Sequence, residues 1–444
     1  MKIKTLKISL VWLLSFLFCA EIIRKIDYFP IPILLEMENF ELLLPAQNKK
    51  SVQAAVGNAN AVYFGTETFN MRMNARNITQ ADLEDFIGFC HENGLKAYMT
   101  TNILIFEQEL DLLRSLIEDA REAGVDALIV HDFATIRLAK EYGIPFHIST
   151  QQSVSNSSSA GFFEELGAER IIMARECSLE QISEISKVLG SAKVEAFVHG
   201  AMCTSISGRC YFSQCIHDSN DFSANRGKCL QPCRHKWKLV YEDGQEFDYD
   251  GYFFLNAKDL CMIEHIPEMV DAGIYSFKVE GRMRSPHYVE TVGRLYRKAL
   301  DAHFDGTYSA EQAKKWKVEL AEVYNRGFST GFYFDRPTEM DINRESSGNM
   351  ATTRKTHVGD IITFYRNKSV AKLNLFRGKF RPGDILYIEG GDMGSFYKHT
   401  ISEMYHKNKI IQETPDIAEL NDGFVITIKT DKPVGRNDKV FIYI

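Results

Sequence analysis

Short apolar runs alternate with amphipathic stretches along the chain from Glu41 onward. Short apolar runs bounded by turn residues are typical of buried strands, whereas apolar residues at helical spacing indicate helices packed on a core. The pattern predicts eight strands: Glu41–Ala46, Ala61–Gly65, Lys96–Thr101, Ala127–His131, Pro145–Ser149, Arg170–Arg175, Val194–Gly200 and Tyr275–Gly281.

Two of the intervening stretches carry clear helix end signals. Thr79–Asn93 begins with an N-cap threonine and is followed by Gly94. Ser178–Leu189 opens with Ser-Leu-Glu-Gln, which is a capping-box pattern. Eight strand–helix units in succession predict an α/β protein with a TIM-like (β/α)8 barrel over residues 41–305. A doubly wound open sheet is the weaker alternative.

A barrel of this kind carries its functional side chains at the carboxyl ends of its strands. Six of the eight predicted strands end in polar residues. They are Thr101-Asn102, His131-Asp132, Ser149-Thr150-Gln151, Arg175-Glu176, His199 and Glu280-Gly281-Arg282. Each one alone is more often a helix cap or a structural ion pair than a catalytic group. Together they predict a polar cup at one end of the barrel.

The pattern changes after His303. Residues 306–356 are predicted to form a helical and aromatic connector, and residues 357–444 alternate as strands do. We therefore expect a small C-terminal β-barrel domain.

One segment of that domain is strongly basic. Arg366–Arg381 holds six basic residues and no acidic ones, interleaved with Phe376 and Phe380. The segment is either a solvated strand face or a contact for the RNA backbone, and its position on a separate domain favours RNA.

Residues 1–36 differ from the rest of the chain. Three lysines precede the apolar run Ile8–Ala20, an arrangement typical of a signal peptide but too short for a confident membrane span. No small residue suited to cleavage precedes Cys19-Ala20. We favour the alternative that Met37 is the true start, and we expect a cytoplasmic protein without stable membrane association. Secretion is the minority alternative.

The net charge and the number of cysteines limit the classes of function that fit this chain. The 444 residues include 52 Lys and Arg against 59 Asp and Glu, which gives a net charge of −7. Residues 1–36 carry five basic and three acidic residues, so the remainder carries −9. This balance disfavours non-specific coating of nucleic acid, and any RNA must be bound by local basic patches. Nine cysteines are too few for a disulfide scaffold.

The cysteines are concentrated in a long insertion, residues 201–254, after the seventh predicted strand. Six residues separate the first pair, three separate the second, and eighteen lie between the pairs: Cys203 and Cys210, then Cys229 and Cys233. Four thiolates on loops can bind Zn²⁺ or an iron–sulfur cluster. The wide first spacing favours a cluster, while zinc and unligated packing cysteines stay open. Cys215 has no assigned role.

Basic residues run through the same insertion: Arg209, Arg226, Lys228, Arg234, His235, Lys236 and Lys238, together with Trp237. They would suit an anionic substrate, an RNA loop stacked on an aromatic ring, or the charge of a cluster. No HExxH, GxSxG or thiol-protease motif is present in the sequence.

Four motifs resemble the collagenase-like U-32 peptidase family, and the resemblance extends from about Glu41 to the C-terminus. They are EAFVHGAMC at Glu195–Cys203, GRCYFS at Gly208–Ser213, ANRGKCLQPCR at Ala224–Arg234 and KVEGRMRSP at Lys278–Pro286. Phe212 departs from the aliphatic residue that the family prefers.

The resemblance implies a function other than the one in the family name. Members with this C-terminal β-domain are tRNA hydroxylation proteins that place an oxygen on carbon 5 of the wobble uridine, giving 5-hydroxyuridine. Prephenate is the implied hydroxyl source, and an iron–sulfur cluster of the [4Fe-4S] type is the implied cofactor. The expected partners are prephenate and tRNA, through its anticodon loop, where a single-stranded base can be splayed out.

The resemblance and the strand-end positions together give a set of candidate residues. The implied cluster ligands are Cys203, Cys210, Cys229 and Cys233. The catalytic candidates are His199, Glu280 and Glu176. The substrate-binding candidates are Arg76, Gln151, Arg175, Arg282, Arg226 and Arg234. The alternative functions are a collagenase-like peptidase and a zinc-stabilised RNA-binding module.

Overall fold

The structure, a computed structural model, describes residues 40–246, 253–391, 395–417 and 423–444. The predicted extension at residues 1–36 lies outside these ranges. No helix in the described ranges is long and apolar enough to cross a membrane.

Eight parallel strands form a closed barrel. The ninth strand of the chain pairs with both the first and the seventh, which closes the ring. The eight strands are β1 (Glu41–Pro45), β2 (Ala61–Gly65), β3 (Lys96–Thr101), β4 (Ala127–Val130), β5 (Phe146–Ile148), β6 (Arg170–Ile172), β7 (Lys193–Gly200) and β9 (Ile274–Val279). The predicted TIM-like barrel is confirmed, and the open-sheet alternative is wrong.

A helix follows each barrel strand and packs on the outside of the ring. The barrel helices are α1 (Lys49–Ala55), α2 (Leu83–Glu92), α3 (Leu110–Glu122), α4 (Phe133–Tyr142), α5 (Ser157–Glu165), α6 (Leu179–Val188), α8 (Ile266–Asp271) and α9 (Pro286–Phe304). The predicted capping box forms at α6, where Ser178 and Gln181 bond each other's backbone N–H. This device satisfies two N–H groups that the first helical turn leaves without partners.

Four charged side chains fill the lower part of the barrel. Arg170 bonds Glu41 and lies 3.1 Å from Glu195, and Lys278 Nζ lies 2.6 Å from Glu195 Oε1. All four are buried. Burying a charge is costly unless it is paired, and here two cations balance two anions. The network occupies the barrel interior without an excess charge.

The cysteine insertion connects β7 to a short strand outside the ring. It contains the short helix α7 (Phe212–His217) and then leads to β8 (Asp259–Cys261), which is antiparallel to β7. In the connector, α10 (Ala310–Leu320) precedes β10 (Phe328–Ser329), which pairs with β8. The apolar pattern did not predict β8, because three residues are too short to show a period.

The C-terminal residues form a separate antiparallel sheet, which confirms the predicted β-domain. Its strands pair in the order β14-β13-β18-β11-β12-β17-β15-β16 around an apolar core. They are β11 (Lys355–Tyr365), β12 (Val370–Leu375), β13 (Ile385–Glu389), β14 (Phe396–Thr400), β15 (Met404–His406), β16 (Lys409–Ile411), β17 (Phe424–Lys429) and β18 (Lys439–Tyr443).

One side of this sheet packs against the barrel helices. The His287 ring of α9 stacks on Tyr443 with 3.7 Å between ring centroids. The backbone N–H of Phe396 in β14 donates to Gln53 Oε1 of α1 at 2.7 Å. The sheet therefore meets the barrel through β14, β13 and β18.

Candidate active site

A small cavity of about 60 Å³ lies at the carboxyl ends of the barrel strands. Arg72, from the loop after β2, binds Glu280, which follows β9, with 2.7 Å between Nη2 and Oε1. Burial would raise the pKa of the Glu280 carboxyl, but Arg72, and then Arg175 and Arg284, lower it below its ordinary value. Glu280 is therefore held as a carboxylate.

Arg282 is a second cation of this cavity, and its guanidinium has only neutral partners. Nη1 donates to Asn70 Oδ1 at 2.8 Å and to Thr100 Oγ1 at 3.1 Å, and Nη2 bonds Asn77. The side chain is buried, and burial lowers its pKa to about 10. It stays charged at neutral pH, and none of these partners neutralises the charge.

Gly65 makes room for this guanidinium. A Cβ at that position would lie 2.5 Å from Arg282 Nη1, which is inside any normal contact distance. The last residue of β2 is thus fixed as glycine by the close approach of a side chain.

Three buried polar atoms of residues that line the cavity have no hydrogen-bond partner within the described ranges. They are Oε1 of Gln151, Nε of Arg175 and Nε of Arg282. The Arg175 guanidinium lies over the ring of Phe197, 4.3 Å from its centroid. A buried polar atom without a partner costs free energy, so these three atoms are candidates for contact with a ligand.

A larger cavity of about 330 Å³ lies directly above, within the insertion. The thiols of all four predicted cluster ligands line it: Cys203, Cys210, Cys229 and Cys233. Met71, Arg72, Gln151 and Arg175 line both cavities, so the cysteine cavity adjoins the barrel mouth. Cys215 is exposed and does not line either cavity.

The four thiols have the chemistry of a cluster-binding set. None is in a disulfide. Gln231 donates its backbone N–H to Cys229 Sγ at 3.2 Å, a bond that would stabilise a thiolate. Burial raises the pKa of the Cys229 and Cys233 thiols. In the described ranges, no three His, Cys, Asp or Glu side chains lie close enough together to hold a single metal ion.

The insertion is docked onto the loop after β2 by a close backbone contact. Gly227 has a left-handed backbone, with φ of +78°, and its carbonyl accepts from the N–H of Met73 at 3.0 Å. A Cβ on Gly227 would overlap the carbonyl oxygen of Asn70. Only glycine fits this contact, which places the second cysteine pair beside Arg72.

Three predicted residues besides Arg226 lie outside both cavities. Glu176 is half-buried, and Arg76 is exposed, whereas Arg72, four residues earlier, reaches the barrel mouth. His199 is buried against Tyr296 and Tyr288 of α9, and burial lowers its pKa to about 3.

A β-bulge explains the position of His199. Alternation along β7 would place it on the same face as Glu195 and Phe197, inside the barrel. Phe197 pairs with Lys278 on β9, but His199 pairs with the next residue, Val279. Two residues of β7 therefore oppose one of β9, and the bulge turns His199 outward.

Two further predicted residues have structural partners. Arg226 forms an ion pair with Glu109 and lies 4.5 Å from the centroid of the Phe106 ring. Arg234 is buried and donates to Asn256 Oδ1 at 2.9 Å and to the Met202 carbonyl. Their guanidinium groups hold the insertion in place.

The sequence analysis missed Arg72, Asn70 and Asn77. All three lie in the loop after β2, at distances along the chain that show no period. The only available signal was the polar composition of that loop, NMRMNARN, which follows a barrel strand.

A further cavity, of about 500 Å³, lies at the opposite end of the barrel. Lys96, Arg170 and Lys193, at the amino ends of three strands, line it. It contains none of the groups at the carboxyl-end site, so size alone does not identify the candidate site.

The fold and this site define a TIM-like barrel protein with a cysteine-lined cavity above the barrel mouth. The chain belongs to Peptidase family U32, whose profile matches residues 47–343.

Three relatives are similar over most of their length. An uncharacterized protease of Methanocaldococcus jannaschii is 39% identical over 411 residues, which cover 90% of this chain and 98% of that protein. A collagenase of Porphyromonas gingivalis is 34% identical, covering 92% and 98% respectively. The tRNA hydroxylation protein P1 of Bacillus subtilis is 33% identical, covering 83% and 87%. The family thus contains both proteins named as proteases and proteins named for RNA hydroxylation.

Proposed function

We propose that the chain is an enzyme that hydroxylates carbon 5 of the wobble uridine of tRNA, with an iron–sulfur cluster on its four insertion cysteines and prephenate as the hydroxyl source. The observation that carries the proposal is the direct junction of a cysteine-lined cavity with a cationic barrel mouth. The similarity to a protein named for tRNA hydroxylation supports the choice of RNA.

The charge of the barrel mouth supports a dicarboxylate cosubstrate. Arg72 is balanced by Glu280, and Lys278 by Glu195. Arg282 and Arg175 have no carboxylate partner among the described residues. Two guanidinium groups without counter-ions match the two carboxylates of prephenate, because Arg binds carboxylates through paired N–H groups.

The arrangement of the thiols supports a cluster rather than one zinc ion. A tetrahedral Zn²⁺ holds its sulfur ligands about 2.3 Å from one point. Here the four cysteines are among the residues that line a cavity of about 330 Å³, and in the described ranges no three His, Cys, Asp or Glu side chains lie close enough together to hold one metal ion. A bound cluster would supply a redox-capable centre beside the substrate. Conversion of C–H to C–OH removes two electrons from the uridine, and the hydroxyl donor takes them up as it gives up its oxygen.

The residues of the chain would position the two substrates. Arg175 and Arg282 bind the dicarboxylate, and Gln151 Oε1 accepts from a donor on either ligand. Glu280, which Arg72 holds ionised, is the carboxylate that lines this cavity, and it would accept a proton there. Since tRNA is the substrate, we place the enzyme in the cytoplasm.

Nucleoside analysis tests this function. Deletion of the gene in a strain without a paralogue should abolish 5-hydroxyuridine and its derivatives in digested tRNA, and the intact gene should restore them. Unchanged levels in the deletion strain would exclude the function.

The main alternative is a peptidase, because one relative is named a collagenase. A serine or cysteine peptidase of the Ser–His or Cys–His type has a histidine base beside its nucleophile. No histidine among the described residues lines either cavity. Cleavage of collagen by the purified protein that survives removal of iron would favour this alternative.

A further inference from the structure

One face of the C-terminal sheet carries basic and aromatic side chains that the barrel site does not use. Along β12 the burial alternates, with Ala371 and Leu373 in the domain core and the residues between them partly exposed. Residues directly opposite on neighbouring strands have side chains on the same face of a sheet. The strand register therefore shows which side chains share the outer face.

The first row of this face runs across three strands. Tyr365 of β11 pairs with Val370 of β12, and Val370 pairs with Lys429 of β17. Tyr365 is 49% exposed, and Lys429 is also exposed. A large exposed ring and a lysine thus lie on either side of a small aliphatic residue.

The second row contains the same two kinds of side chain. Lys372 pairs with Thr427, and Thr427 pairs with Tyr405 of β15. The Tyr405 hydroxyl donates to the Glu403 carboxylate at 2.8 Å, so an acidic residue contacts this tyrosine at the β15 edge of the sheet. We call the set Tyr365, Lys372, Tyr405 and Lys429 the basic sheet face.

The cations of this face are available for a partner. No ion pair engages Lys372 or Lys429 within the described ranges. The hairpin that joins β11 to β12 adds Arg366 and Lys368, both exposed, beside Tyr365. These residues carry positive charge on a chain whose net charge is −7.

The structure corrects which aromatic residues accompany the basic segment. Phe380 is buried in the domain core, and Phe376 packs edge-on against His357. Neither Phe376 nor Phe380 lies on the basic sheet face. Tyr365 and Tyr405, both outside Arg366–Arg381, provide the rings instead.

The basic sheet face lies away from the barrel contact. The domain meets the barrel through β14, β13 and β18, whereas this face is formed by β11, β12, β17 and β15. The barrel-mouth cavity and the adjoining cysteine cavity, of about 60 and 330 Å³, have room for no more of a tRNA than the nucleotide that reacts. A macromolecular substrate must therefore be held by further surfaces.

We propose that the basic sheet face binds the tRNA substrate outside the nucleotide that reacts. The lysines contact phosphates, and the tyrosine rings stack on bases or riboses. RNA fits better than an acidic protein because cations alternate with tyrosine rings, one exposed and one half-buried, and each nucleotide offers both a phosphate and a flat base. This inference rests on the proposed function for the identity of the RNA.

Binding of fluorescein-labelled bulk tRNA to the full-length protein tests the proposal, measured by anisotropy over a range of salt concentrations. The double variant Lys372→Gln/Lys429→Gln should raise Kd about tenfold and lower the salt dependence of log Kd by about 1.5, because about two phosphate contacts are lost. Tyr365→Ser should raise Kd about fivefold or more with little change in salt dependence, since stacking is uncharged.

The matched control is Lys187→Gln/Lys314→Gln, which removes two exposed lysines, one from the barrel helix α6 and one from the connector helix α10. Wild-type Kd and salt slope in the sheet-face variants, or the same loss in the control, would overturn the proposal. Displacement of tRNA by poly-glutamate with equal affinity would also overturn it in favour of an acidic polypeptide. Binding of tRNA needs no catalysis, so the binding experiment and the nucleoside analysis of the proposed function can fail independently of each other.

Discussion

Arg72 is the residue on which the charge of the candidate site depends. Its removal would leave the Glu280 carboxylate, whose side chain is only 11% exposed, without its ion-pair partner. We expect Arg72→Ala to reduce tRNA hydroxylation at least 100-fold and to destabilise the fold by about 2 kcal/mol, less than a fully buried pair because Arg72 is 30% exposed.

Arg76→Ala is the matched control for that prediction. It removes an exposed arginine from the same loop, and hydroxylation should stay within about twofold of wild type, as for most surface changes. Nucleoside analysis of tRNA treated with each variant gives the comparison. Equal activity of the two variants would show that the Arg72–Glu280 pair has no role in the reaction.

At the residue scale, the sequence predicts correctly that a side chain lies in the site when the topology of the barrel fixes its position. Gln151, Arg175 and Glu280 directly follow strands, and the carboxyl ends of parallel strands meet at one end of a barrel. Arg72 lies in a loop whose path is set by contacts with distant residues. His199 lies near the carboxyl end of β7, but a bulge reverses the direction of its side chain, and no residue type in the sequence indicates the bulge.

At the scale of elements, the position of the cysteine insertion depends on one backbone contact at Gly227. Replacement by alanine should undock the second cysteine pair, because the added Cβ would overlap the Asn70 carbonyl. We expect Gly227→Ala to lower the iron content of anaerobically purified protein at least threefold.

Gly244→Ala separates this contact from backbone strain. Gly244 also has a positive φ, +86°, but no atom lies within 4 Å of its Cβ position. Both variants therefore carry a similar conformational cost of about 1 kcal/mol, and only Gly227→Ala loses the contact. Iron and sulfide analysis of the two should differ, and matching iron contents would contradict the docking role.

The interface between α9 and the C-terminal sheet should be sensitive to acid. Burial, followed by Lys398, Lys355 and Arg294, lowers the pKa of His287 to about 3. An unfolded histidine has a pKa of about 6.5, so the folded state loses stability as the pH falls from about 6.5 towards 3. At pH 5 the loss from this group reaches about 2 kcal/mol.

His287→Phe keeps a ring against Tyr443 but cannot be protonated. We expect the drop in melting temperature between pH 7.5 and pH 5 to be smaller in the variant than in wild type, with similar values at pH 7.5. His199, whose pKa is also about 3, is present in both proteins, so their difference isolates His287. The same drop in melting temperature in the variant and in wild type would show that protonation of His287 does not destabilise this interface.

Strands were predicted correctly from the sequence where the apolar run was long enough to show a pattern. Ala61–Gly65 and Lys96–Thr101 have the predicted bounds, because each run is apolar and flanked by clear turns. The order of strands in the C-terminal sheet could not be predicted, because a pairing such as that of β12 with β17 joins residues about fifty to sixty positions apart. That order is what brings Tyr365 and Lys429 to one face.

The whole molecule combines two sources of specificity that neither domain has alone. The barrel and insertion provide the candidate site, in which two arginines lack counter-ions among the described residues and four cysteines line the adjoining cavity. The C-terminal sheet provides a cationic surface on a chain with net negative charge. A protein of net charge −7 would bind RNA only where cations are concentrated, so we expect the proposed reaction and the proposed RNA binding to be separable by mutation.

The cysteine site gives the sharpest test of the proposed cofactor. Cys229→Ser replaces a thiol that lines the cavity, whereas Cys215→Ser replaces the exposed fifth thiol of the insertion, which does not. If the four thiols hold a cluster, Cys229→Ser should lose most of the iron, the acid-labile sulfide and the visible absorption of anaerobically purified protein. Cys215→Ser should keep wild-type values of all three. Zinc in place of iron in the wild type, without visible absorption, would instead support the zinc-stabilised RNA-binding module. Equal loss in both variants would show that the insertion binds its metal with a different set of thiols from the four that line the cavity.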